Sequence, residues 1–169
     1  MKKFKPFSKN IIFFDTEFSL LDPCDGEMLS IGMIKLKGDE LYLELEYKGA
    51  VSEFAKKNVL PNLNGNKITH DEARFEILKF VGKREPRLIS YITTFDLALM
   101  RRLFSRDAWP FYWIPVDFSS VMFGMGINPD DFDSREFLDS LGINLSDYRR
   151  HHAMDDAKLL RDVYLKLSE

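Results

Sequence analysis

One stretch constrains this chain more than any other: Asn10 to Phe18, reading N-I-I-F-F-D-T-E-F. Its apolar, β-branched and aromatic run has the composition of a buried strand. Side chains two residues apart on a strand share a face, so Asp15 and Glu17 project together beside Ile11 and Phe13. Two carboxylates at the end of an apolar strand repel each other and lose hydration. A bound hard cation, Mg²⁺ or Mn²⁺, relieves both costs. A strand end that opens into water does so too, and the stretch by itself leaves both readings standing.

The chain's 169 residues suit one domain, expected to cover residues 1–169 and to bury ~70% of the unfolded surface. Fifteen phenylalanines give ample core material. The net charge of −3 advertises no global basic field, so nucleic-acid binding would have to use local patches. Cys24 is the only cysteine, which excludes a disulfide framework or a zinc cluster. No apolar run is long enough to span a membrane, and the basic start lacks a signal-peptide core behind it. A cytoplasmic location is the expectation.

Met28–Leu36 and Leu41–Tyr47 read as strands joined at Gly38-Asp39, so the first three strands form an antiparallel meander. Glu53–Val59 is a short helix. Thr69 and Glu72 form a capping box that opens a helix to about Val81. Pro86–Ile92 and Phe111–Val116 read as further strands. Phe95–Phe104, Ser134–Leu141 and Ala153–Leu167 read as helices, with Asp117 capping another short one. Three strands followed by alternating helix and strand give a mixed sheet with flanking helices, an α/β or α+β fold.

Two more acids sit where an apolar face meets a chain end. Asp96 heads the stripe of Leu99, Met100 and Leu103, although the helix dipole alone can explain an acid there. Asp156 lies at the edge of the last helix's buried face, whereas Asp155 aligns with the polar side. His151 precedes that helix, and His152 is read as its exposed neighbour. Four carboxylates from three separated regions can hold two divalent ions about 4 Å apart, the arrangement for phosphodiester cleavage. A histidine of ordinary pKa near 6.5 suits the general base.

These residues carry a resemblance. Asp15-Thr16-Glu17 resembles the first motif of the DEDD 3′→5′ exonucleases, Phe95-Asp96 the second, and His151 to Ala157 the third, H-x-A-x-x-D-A, of the DEDDh branch. The resemblance implies a ribonuclease H-like fold, two Mg²⁺ (or Mn²⁺) ions on Asp15, Glu17, Asp96 and Asp156, and His151 as general base. It implies substrate contacts by Thr16, Phe18, Ser19 and Leu20, with Phe18 stacking on the last base and Leu20 wedged against it. The second motif departs from the branch pattern: Tyr91-Ile92-Thr93-Thr94 stands where a His-Asn pair is common. Short length and this Tyr91 version look most like the compact bacterial exoribonucleases. RNA is therefore expected ahead of DNA, as a single strand or 3′ overhang, with a homodimer possible. Arg101, Arg102, Arg149 and Arg150 are candidates for phosphate contact, as are Lys2, Lys3, Lys5 and Lys9. A catalytically silent binding or adaptor module, and a metal phosphohydrolase for small molecules, are the competing readings. The latter lacks a D-x-D-x-T motif or a Gly-rich phosphate loop.

Overall fold

The apolar run becomes the central strand β1, Ile11–Phe18. The computed structural model describes residues 3–22, 24–104 and 108–168; Lys2 lies outside them. Strand β2 (Met28–Lys35) and β3 (Glu40–Leu45) continue the antiparallel meander. Gly38 turns the hairpin with φ of 107°, a value that suits a residue without a Cβ. A short helix α1 (Glu53–Asn58) then leads to β4, Lys67–Ile68, which pairs parallel to β3. Helix α2 (His70–Val81) opens on the expected capping box of Thr69 and Glu72. Strand β5 (Arg87–Ser90) pairs parallel to β1, α3 spans Thr93–Leu103, and β6 (Val116–Asp117) pairs parallel to β5. Helices α4 (Phe118–Gly124), α5 (Arg135–Ser140) and α6 (Ala153–Leu167) complete the order. The sheet order is β4-β3-β2-β1-β5-β6.

Alternation along β1 divides the core. Ile11 and Phe13 face α6, packing with Ala157, Leu160, Val163 and Tyr164. Ile12 and Phe14 face the other way, toward Ala73 and Ile77 of α2 and Leu99 and Met100 of α3. Each layer buries one face of the sheet against helices, which is why a mixed sheet is stable here.

The structure corrects the expected strand Phe111–Val116, of which only Val116 is kept in β6. Pro110 and Pro115 bracket the run, and proline has no N–H to give a ladder. Phe111 is buried against Phe104 and Trp109 instead, while Trp113 and Ile114 are exposed.

Gly32 fixes how closely α6 approaches the sheet. It pairs with Asp15 across the β1–β2 ladder. A Cβ at Gly32 would lie 2.4 Å from the backbone of Ala153 and Met154. Gly32→Ala must therefore push the start of α6 away from β2. The expected cost is about 3 kcal/mol, read as a shifted denaturant midpoint. Wild-type stability in that variant would show that the helix start yields freely.

Candidate active site

Asp15 and Glu17 emerge from the α6 face of β1, at the end where its ladder with β2 shifts register between Glu17 and Phe18. Helix α6 brings Asp156 over them. Single ligand atoms of Glu17, His151 and Asp156 all lie within 4.8 Å of one another. Asp15 shares the same cleft wall, beside Phe18, Tyr91 and Arg150. Asp96 comes from the opposite side of β1. Its Oδ1 accepts the backbone N–H and the hydroxyl of Thr16, at 3.1 and 2.6 Å. Asp96 is buried and is not among the residues that line the cleft.

Burial first, and mutual repulsion second, raise Asp15, Glu17, Asp96 and Asp156. Burial, then Asp96, Asp156 and Glu17, hold Asp15 well above the ordinary range. Burial and the charges of Asp156 and Asp96 push Glu17 to about 8. Burial carries Asp96 to about 6 against the two Thr16 hydrogen bonds. Burial likewise carries Asp156 to about 6, opposed by Arg150 and the His151 N–H. Loss of hydration is the largest cause at each of the four, and at Asp15, Glu17 and Asp156 the nearby Arg150 charge opposes it. The Arg150 guanidinium contacts Asp156 and reaches Asp133 at 2.9 Å. A donor set of carboxylate oxygens with one imidazole fits hard divalent cations, whose charge would reverse the rise in pKa.

His151 is held by its backbone. It adopts φ of 59°, the left-handed region that non-glycine residues rarely occupy. Its N–H donates to Asp156 Oδ2 at 2.9 Å. Its carbonyl, with that of Arg150, accepts from Asn62 Nδ2 at 3.0 and 3.1 Å. The ring meets Phe54 edge-on at 5.0 Å. Burial first, and Arg150 second, lower its pKa, so the imidazole is neutral at pH 7. Neither Asn62 nor Phe54 was marked by the sequence, because neither lies near a motif.

Other expected contacts divide. Thr16 is buried and its hydroxyl serves Asp96. Ser19 is fully buried, with its hydroxyl accepting from the Glu27 N–H, so its side chain faces inward and not the cleft. Leu21, not Leu20, lines the cleft and is 75% exposed. Phe18 lines the cleft while stacking on Phe95 at 5.9 Å. Of the four arginines, Arg150 alone is in the wall. Arg101 lies over Trp109, Arg102 donates to the Gly26 carbonyl, and Arg149 binds Asp155. Asp155 is thus a half-buried ion-pair partner, not a solvated acid. His152 is buried, not exposed, and stacks on Tyr42 at 4.6 Å.

No protein-family model matches the chain, and no curated protein sequence matches it. Solved structures do. The chain is similar to the zinc-bound form of E. coli exonuclease I with single-stranded DNA, at 15% identity and a TM-score of 0.73 over 93% of this chain. It is similar to E. coli exonuclease I with a dA16 oligonucleotide at 14% identity and a TM-score of 0.71, over the same 93%. The chain spans about 40% of the length of those solved chains. At such identities the likeness is one of fold, and that fold is ribonuclease H-like.

Proposed function

We propose that this chain is a metal-dependent 3′→5′ exonuclease that hydrolyses single-stranded nucleic acid to nucleoside 5′-monophosphates. The observation that carries the reading is the convergence of Glu17, Asp156 and His151, with Asp15 beside them, in one cleft at the end of β1. Asp15, Glu17 and Asp156 would hold the divalent ions, Mg²⁺ or Mn²⁺. Asp96, reached through Thr16, completes the acidic set from beneath. When bound, two such ions supply Lewis acidity toward the scissile phosphate and lower the pKa of the attacking water.

The protein's own groups do the rest. Neutral His151 takes the proton of that water at a ring nitrogen, and the Asp156 and Asn62 hydrogen bonds to its backbone fix where the ring stands. Phe18, Leu21, Phe54 and Ile92 offer apolar surface for the terminal base. Arg150 can exchange Asp156 for a substrate phosphate once other cations neutralise the carboxylates. The motif resemblance favours RNA, while the solved exonuclease structures of like fold hold single-stranded DNA. RNA is the expected first substrate.

The test uses 5′-labelled RNA and DNA of one sequence with Mg²⁺, Mn²⁺ or EDTA. The expected result is a descending ladder from the 3′ end, lost in EDTA and faster on RNA. Tight binding with no ladder under any ion would favour the silent binding module.

A further inference from the structure

Among the described residues the acidic cleft is lined by five carboxylates, Asp15, Glu17, Asp130, Asp133 and Asp156, against one arginine. Bound ions can secure a terminal phosphate there, but such a wall repels the rest of a phosphodiester strand. The positive charge gathers elsewhere. Lys9, Lys35, Lys37, Lys83 and Arg84 line a groove of about 640 Å³ where β1 begins and β2 ends. Among the described residues Asp39 is its one lining carboxylate, and it pairs with Lys35 at 3.4 Å. Lys9, Lys37, Lys83 and Arg84 are exposed. Among the described residues no ion pair engages these four. Five cations drawn from three separate segments converge in a chain whose net charge is −3, so the field is local.

We propose that this groove binds the phosphodiester backbone of a single nucleic-acid strand, as a second site remote from the acidic cleft. From Asn10 to Glu17 is seven residues, or roughly 23 Å at about 3.3 Å per residue. Two residues before Lys9, Phe7 is 93% exposed, with the Arg87 guanidinium 5.6 Å from its ring centre. A basic groove with an exposed aromatic beside it is the composition that holds single strands without reading sequence. The groove's charge comes from three separate segments of the chain, which suits a chain of phosphates better than one isolated anion. The choice of nucleic acid as the polyanion rests on the exonuclease reading of the cleft; the groove's binding does not require cleavage.

The experiment measures anisotropy of a labelled tetranucleotide and of a longer strand in EDTA, across a range of KCl, for wild type and Lys37→Gln/Lys83→Gln/Arg84→Gln. A matched Lys48→Gln/Lys57→Gln/Lys67→Gln variant controls for net charge. For the longer strand the groove variant should bind about tenfold more weakly, and its log–log salt slope should be shallower by about 2, at ~0.7 per lost phosphate contact. Tetranucleotide cleavage in Mg²⁺ should be unchanged, and the control variant should bind like wild type. Unchanged binding of the longer strand, or an equal loss in the control, overturns the proposal. So does binding to phosphatidylserine vesicles with none to the oligonucleotide. A wild type that binds the longer strand through the groove yet cleaves nothing supports the groove and removes the exonuclease reading instead.

Discussion

Asp156→Ala is expected to lower metal-dependent cleavage by about a thousandfold, the scale of losing a group that acts on developing charge. Three contacts end together in this variant. The carboxylate facing Glu17 and His151 disappears, Arg150 loses a partner, and the His151 N–H loses its acceptor. The last loss matters because His151 holds φ of 59°, a conformation that needs surrounding contacts to persist. Asp156→Asn separates these effects. The amide oxygen can still accept from the His151 N–H, so that bond stays while the charge and the acceptor for Arg150 go. Cleavage should fall nearly as far in the Asn variant, and divalent-ion affinity measured by calorimetry should fall with it. Metal-free stability at pH 8 should not fall in the Asn variant, since Asp156 is among the charges that disfavour ionised Asp15 and Glu17. Wild-type turnover in either variant would remove Asp156 from the site.

Much of this arrangement was legible in the sequence where it is local. The Thr69–Glu72 box and the apolar stripe of α6 are short-range signals, and both elements stand where those signals put them. The carboxylates could be picked out because each interrupts an apolar pattern. What depends on distant pairing was not legible. Strand β4 is two residues, Lys67 and Ile68, and exists only because β3 lies alongside it. Asn62 reaches the carbonyl of a residue 89 positions away, and nothing in a loop asparagine announces that. His152 follows His151 directly, yet one ring enters the cleft and the other is buried on Tyr42. The turn in the chain at His151 decides between them. Likewise β1 ends at Phe18, so alternation gives no guide beyond it, and Leu21 takes the place expected of Leu20.

In EDTA the protein should lose stability as pH rises, the reverse of a fold held by paired carboxylates. Glu17 titrates near 8 in the folded chain against 4.5 ordinarily, and Asp15 is raised as well. Between those values the native state holds more protons than the unfolded one, so the slope of unfolding free energy with pH is negative. The stabilisation is full below the ordinary carboxylate pKa and is lost as pH passes the folded values. His151 and His152 act oppositely, because their lowered pKa values favour the fold as pH climbs toward 6.5. Above pH 7 both are mostly neutral, so the range from 7 to 9 reads chiefly Glu17. A tenfold difference in proton affinity between the folded and unfolded chain is worth about 1.4 kcal/mol, and a kilocalorie moves Tm by about 3 °C in a chain of this size. A fall in Tm of roughly 4 °C across that range is expected in EDTA from Glu17 alone. Millimolar Mg²⁺ or Mn²⁺ should flatten the curve, because ions that bind the ionised carboxylates stabilise only the native state. Glu17→Gln should flatten it without any ion, since the group whose charging is penalised is gone. A Tm that is level from pH 7 to 9 in EDTA would mean that Arg150 already neutralises the cluster, and divalent ions would then have to displace it to bind.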